Sequence, residues 1–263
     1  CGIASASFIA SWPAPLGMRC TGIPAAATAR SQRACQSGAH GAAAQGIQGN
    51  GTTVFGVAEV STPTPTTTQV DVFSPTAVID WAPLLDSNGN ALDFLRTGAQ
   101  AIFQSSQGGN FAVLNRILPS PNNNVAVMNG TVIGRLGDAF LGYSPGGFIA
   151  FYSPTGILVG SDARFDVGRL MLTTLDTTNE SFANFAATGG FMSMQGQQGS
   201  RATITVSPGA RIIASPSNAF FAIIAADVEM RGTALVNGSH AYVAGEVVNL
   251  RFSNGLFDIS VPV

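Results

Sequence analysis

The run Gly142-Tyr143-Ser144-Pro145-Gly146 has the Gly-x-Ser-x-Gly spacing of a nucleophile elbow, in which a strained turn lifts a serine hydroxyl clear of a strand for acyl transfer. That device needs a strand before the serine and a helix after it. Here Pro145-Gly146-Gly147 and a second apolar run come next, so the sequence predicts a turn between strands instead. A serine nucleophile also needs a base. Of the two histidines, His40 falls in an atypical N-terminal segment and His240 is expected as a turn or surface residue, so no triad is expected.

Carboxylates offer two further candidates. Asp86-Ser87-Asn88-Gly89-Asn90 opens like a calcium loop, but its sixth position is Ala91, where the sharp turn needs glycine, and its twelfth is Thr97, where a bidentate Glu belongs. An Asx-type turn is the expectation. Asp162, Asp166 and Asp176 could serve as the acids of a β-helical polysaccharide lyase or hydrolase, since Asp162 and Asp166 have the even spacing that puts two residues on one strand face. Gly160 and Gly168 signal turns beside them, and ordinary solvated acids are expected. The three cysteines, Cys1, Cys20 and Cys35, all lie in the first 35 residues. The body of the chain therefore has no disulfide framework and no cysteine zinc site, which suits a protein that crosses an oxidising compartment before it folds.

The elements that would position these residues are short. From Gln45 onward, turn signals such as Gly49-Asn50-Gly51, Asn88-Gly89-Asn90, Asn122-Asn123-Asn124, Pro145-Gly146-Gly147 and Ser207-Pro208-Gly209 separate apolar runs of strand length. Between Gly147 and Asp176, Gly and Pro recur too often for a helix, and the apolar positions lack a 3.6-residue period. In the last third, Ala225-Ala226-Asp227-Val228 aligns with Ala244-Gly245-Glu246-Val247, and Met230-Arg231 with Leu250-Arg251, at an offset near twenty. That period matches one coil of a β-solenoid and is too short for a propeller blade. With strands about 4.8 Å apart and about twenty residues per coil, residues 45–263 would make roughly ten coils and a rod about 50 Å long. Gln45 to Phe73 would cap its N-terminal end. The pattern is still strand-like at Asp258-Ile259-Ser260-Val261, so the natural protein is expected to continue into further coils.

Composition narrows the function classes. The 263 residues are 46% apolar and only 10% charged, with a net charge of −2 and every basic residue an arginine. Such a chain buries much and exposes neutral polar surface; it carries no basic patch for nucleic acid and no polybasic membrane anchor. No stretch reaches the ~18 apolar residues of a transmembrane segment. Residues 1–44, rich in Ala, Ser and Arg and ending in an Ala-rich cleavage-like site, form a leader or signal-like segment expected to be poorly ordered.

Several runs fall in a fixed order: Ala77-Val78-Ile79-Asp80-Trp81, Leu92-Asp93-Phe94, Ala112 to Ile117, Asn129 to Leu136, Ser153-Pro154-Thr155-Gly156-Ile157 and Leu172-Thr173-Thr174-Leu175. The series resembles the N-terminal secretion domain of filamentous-haemagglutinin-type adhesins of two-partner secretion systems, over most of residues 46–263. Asn115 and Arg116 stand in the family's Leu-Asn-Arg-Val strand, and Ser153 to Ile157 in the place of its Asn-Pro-Asn-Gly-Ile turn. Ser153 and Thr155 replace both asparagines of that turn, and the family's Asn-Pro-Asn-Leu element has no clear counterpart. On residue chemistry alone the turn makes sense: Pro154 fixes its own φ, Gly156 can take φ > 0, and the hydroxyls can bond nearby backbone.

The resemblance implies an all-β, right-handed parallel β-helix (β-solenoid) with an N-terminal cap, without enzymatic activity or cofactor. Asn115, Arg116, Ser153, Pro154, Thr155, Gly156 and Ile157 would form its secretion motif. It further implies export through the periplasm, recognition by the periplasmic domains of a partner outer-membrane β-barrel transporter, and folding outside the cell. The protein would end secreted or at the bacterial cell surface, binding host or surface ligands through downstream regions. Two alternatives stay open: a polysaccharide-degrading enzyme on the same solenoid, and an autotransporter passenger.

Overall fold

The computed structural model describes residues 46–105, 109–140, 142–253 and 255–262. The leader-like segment 1–44, with His40 and the three cysteines, lies outside them. The described chain is all-β apart from one short helix, and most of its strand pairing is parallel.

The short apolar runs between turn residues form strands that stack rung on rung in three groups. The first holds β3 (Thr67–Val72), β5 (Gln100–Ser105), β8 (Thr131–Asp138), β12 (Arg164–Val167) and the opening halves of β16 (Arg211–Ala225) and β18 (Thr233–Ala244). The second holds β4 (Thr76–Pro83), β6 (Ala112–Ile117), β10 (Phe148–Tyr152), β13 (Arg169–Thr173) and the closing halves of β16 and β18. The third holds β7 (Ala126–Met128), β11 (Ile157–Val159), β15 (Thr203–Val206) and β17 (Asp227–Met230). The chain visits the second, third and first stacks in turn, as in β10, β11, β12 and β13, and the long strands β16 and β18 join the first stack to the second.

Antiparallel strands finish the N-terminal rungs. β1 (Gly49–Phe55) lies on β4 and β2 (Ala58–Thr64) on β3, covering edges that would otherwise present unpaired backbone. β9 (Gly142–Pro145) folds back antiparallel on β8.

Rung count differs from the sequence estimate. Among the described residues the first and second stacks each hold six parallel rungs, not ten. The twenty-residue period applies where Phe148 pairs with Arg169 and where Ala225 pairs with Ala244, but Val113 pairs with Ile149 and Leu170 with Phe221 at much longer spacings. Insertions between rungs lengthen those turns. The second half of the proposed repeat does not stack: Met230 pairs with Val206, and Leu250 pairs antiparallel with Met192.

The largest insertion builds a second layer. After β13 the chain forms α1 (Asn179–Thr188) and β14 (Met192–Gln195), and near its end β19 (Val247–Ser253) and β20 (Leu256–Ser260) pair antiparallel beside β14. The Thr178 side chain accepts from the Ser181 amide at 3.1 Å to start the helix, and Gly189 ends it at φ 68. Phe182 and Phe185 pack from the helix onto Phe148.

This layer explains why the second-stack strands are apolar without alternation. Phe221, Ile223 and Ala225 point into the core between the stacks, whereas Phe220, Ala222 and Ile224 point outward beneath α1 and β19. A strand buried on both faces reads as a continuous apolar run. Each large side chain so buried contributes about 1.5–3 kcal/mol.

Candidate functional site

The segment from Ser153 to Ile157 turns the chain from the second stack into the third. Pro154 and Thr155 occupy the corners of the turn, the Gly156 amide donates to the Ser153 carbonyl at 3.3 Å, and Gly156 takes φ 105. A Cβ on Gly156 would also meet the Thr203 carbonyl oxygen at 2.7 Å, so glycine is required here for space as well as for φ. Ser153 is buried, with its Oγ 3.1 Å from Thr155 Oγ1 and its amide donating to the Thr173 carbonyl at 3.0 Å. Ile157 is buried between Ala126 and Ile204 of neighbouring rungs.

This turn sits on the one that Asn122-Asn123-Asn124 signals in the sequence. Thr155 Oγ1 donates to the Asn124 carbonyl at 2.8 Å, and the Ala126 amide donates to the Gly156 carbonyl at 3.0 Å. Asn124 Oδ1 in turn accepts from Ser120 Oγ at 2.9 Å and from the Ala91 amide at 2.8 Å. Asn122 Nδ2 reaches the Asn90 side chain at 2.9 Å, so the turns around residues 88–91, 120–124 and 153–156 are linked at one corner of successive rungs. The sequence marks each turn but carries no local signal of their linkage.

Asn115 and Arg116 end in different surroundings. Asn115 is fully buried: its Oδ1 accepts from Trp81 Nε1 at 3.0 Å and its Nδ2 donates to the Ala150 carbonyl at 3.1 Å. Arg116 points outward, where its Nε meets Asp80 Oδ1 at 2.7 Å in a partly exposed ion pair. Arg116 pairs in register with Tyr152, directly before Ser153, so both parts of the predicted motif come together at one end of β6 and β10.

Beside them lies an open cleft of about 800 Å³, lined by Arg116, Tyr152, Asp176, Asn179, Glu180 and Gln195. Burial, reinforced by the Asp176 carboxylate and opposed by Arg116, pushes the Tyr152 phenol up to about 12. The cleft offers hydrogen-bonding groups of both kinds, and Asp176 holds its place through an antiparallel bridge to Gln195.

The other sequence candidates lie apart. Ser144 is exposed in β9 opposite Leu136, and the chain runs on from it into the Gly146-Gly147 corner and β10, not into a helix. His240 is exposed on β18 opposite Phe221. Asp86 forms the expected Asx turn, accepting from the amides of Asn88 at 2.8 Å and Asn90 at 2.9 Å, and the Asn90 amide foremost holds its carboxyl below the usual range. Asp162 sits in a turn and accepts from Thr97 Oγ1 at 3.2 Å, while Asp166 is exposed on β12. Among the described residues no group of three or more His, Cys, Asp or Glu side chains could hold a metal ion, and no helix is long and apolar enough to cross a membrane.

No protein-family model and no curated protein matches the chain. Its fold is similar to a solved structure, the HMW1 secretion domain from Haemophilus influenzae, with a TM-score of 0.59 and 19% sequence identity. The similarity covers 83% of this chain and 49% of that one, so the chain spans about half the length of the structure it resembles. At this identity the likeness is one of fold.

Proposed function

We propose that this chain is the secretion domain of a large exported bacterial surface protein of the two-partner type. Its parallel stacks form a right-handed β-helix, the hand that crossovers between parallel strands almost always take. The chain is delivered to the periplasm unfolded, recognised there by the periplasmic domains of an outer-membrane β-barrel transporter, and folds outside the cell. Its role is delivery and not catalysis, and adhesion belongs to downstream regions. The observation that carries this reading is the fold likeness to the HMW1 secretion domain over 83% of the chain.

Two features of the chain support it. The body has no cysteine to be trapped by oxidation during periplasmic transit. It also has few charges with which to attract a partner, so recognition uses an extended segment whose unpaired backbone adds a strand to the transporter's own sheet. The test is to expose the urea-unfolded and the folded chain to the soluble periplasmic domains of the partner transporter. Capture of the unfolded chain alone is expected; equal capture of both forms contradicts strand addition. Release of the chain into the medium only when the transporter is co-expressed tests the export reading itself.

A further inference from the structure

The strands β1 and β2 are joined at Gly56 and Val57, yet they do not pair with each other: β1 lies on β4 and β2 on β3. They are the two end strands of the large sheet, and their outer edges face one another. Antiparallel pairing turns alternate residues toward and away from the partner strand. The Leu84 amide donates to the Gln48 carbonyl at 3.0 Å, so Gly49 and Gly51 turn their backbone N–H and C=O groups away from β4. The Phe73 amide donates to the Val57 carbonyl at 2.9 Å, so Ala58 and Val60 turn theirs away from β3. Near the turn a side chain bridges the gap, where Thr53 Oγ1 donates to the Ala58 carbonyl at 2.9 Å.

Farther from the turn no hydrogen bond crosses the gap among the described residues, and Gly49, Gly51 and Val60 line an open cavity of about 610 Å³. Its rim is exposed at Asn50, Thr62 and Pro63, and no residue of the lining carries a charge. The floor is closed. A Cβ on Gly51 would meet the Trp81 ring at 2.7 Å, and Trp81 itself is buried. The slot therefore offers backbone hydrogen-bonding groups on two walls and little depth, which excludes a charged ligand or one with a bulky ring.

We propose that this slot binds an extended, uncharged peptide segment of another protein chain, inserted between β1 and β2 as an added strand. Unpaired N–H and C=O groups recurring at every second residue match a peptide backbone and no other common ligand. Because β1 and β2 run in opposite directions, the inserted segment is parallel to one wall and antiparallel to the other. It pairs on both of its edges and closes the sheet, whereas the open edge of β20 offers pairing on one side only. Small side chains fit above Trp81. Pro63 has no N–H to give, so on β2 the pairing centres on Val60. The slot belongs to the folded protein, lies apart from the 153–157 turn and does not depend on the export reading.

The test uses the full, folded chain with the capped peptide acetyl-Ala-Thr-Ala-Thr-Ala-amide and the same peptide N-methylated at every residue, which keeps the side chains and removes the donors. Residue-resolved amide hydrogen exchange by NMR is the readout. The unmethylated peptide should slow exchange at Gly49, Gly51 and Val60 by about tenfold or more, and the methylated one should not. V60P removes one N–H of the wall at an edge position that tolerates proline, and it should lose the protection at Gly49 and Gly51. Absence of protection, equal protection by both peptides, or equal protection along β20 overturns the proposal. If V60P fails to fold, the comparison of the two peptides on the unaltered chain decides alone.

Discussion

Trp81 donates its indole N–H to Asn115 Oδ1 at 3.0 Å inside the apolar interior, and the same asparagine donates to the Ala150 carbonyl at 3.1 Å. One buried amide thus ties together β4, β6 and β10, three successive rungs of the second stack. A polar group in such a place is favourable only while both of its ends are satisfied. Asn115 also fixes register, because shifting β6 by one residue would turn it outward and bring Arg116 into the core.

Replacing Asn115 with Leu should therefore destabilise the fold by about 1–3 kcal/mol, chiefly because the Trp81 N–H is left buried and unpaired. Urea unfolding of N115L, W81F and the double variant measures this. The double variant should be less destabilised than the sum of the two singles; simple additivity would show that the bond contributes nothing.

Gly156 provides a second test, with an internal control. Gly98 also has positive φ, at 80, but a Cβ there would meet nothing within 4 Å, whereas at Gly156 it would meet the Thr203 carbonyl at 2.7 Å. G98A should cost only the backbone conformation, about 1 kcal/mol, and G156A should cost that plus the displacement of a neighbouring rung, about 2–4 kcal/mol in all. Equal losses in thermal unfolding would mean that the 153–156 turn yields freely and does not lock β11 against β15.

Much of this architecture was legible in the sequence because turn chemistry is local. The Asx turn at Asp86, the corner at Gly146-Gly147 and the Ser-Pro-Thr-Gly turn are each set by residues within a few positions. The pairing of Ala225 with Ala244 was readable because no insertion separates those rungs. The linkage of Thr155 to Asn124 was not, since turns of different length separate the rungs and erase a constant period. Helix α1 was missed although Thr178 and Gly189 mark its ends, because the surrounding strand rhythm masked a ten-residue interruption. The outward burial of Phe148 and Phe220 was hinted at only by unbroken apolar runs, which do not say what covers them.

Tyr152 makes alkaline stability a readout of the cleft. Its phenol ionises at about 12 in the folded protein, above the ordinary value near 10, because burial and then Asp176 disfavour the phenolate. Below pH 10 both states hold the proton and nothing is lost. As pH rises from about 10 toward 12, the unfolded chain gives up its proton first, so stability falls across that window. Y152F should flatten the fall, and D176N should narrow the window by removing the nearby negative charge. Absorbance titration of the tyrosinates, compared between the parent chain and Y152F, assigns the late transition.

Arg116 separates the structural meaning of the predicted motif from its proposed role in export. The ion pair with Asp80 has side chains 20% and 26% exposed, so solvent and salt weaken it, and pairs of this kind contribute less than about 1 kcal/mol. R116Q should leave unfolding nearly unchanged, with the small difference vanishing in ~1 M salt. If the outward guanidinium beside Tyr152 and Ser153 is part of what the transporter reads, the same variant should reduce release into the medium several-fold while folding normally when refolded alone. Release at the parent level would confine the recognition elements to the turn at 153–157, and a matching loss of stability and release would reduce Arg116 to a folding residue.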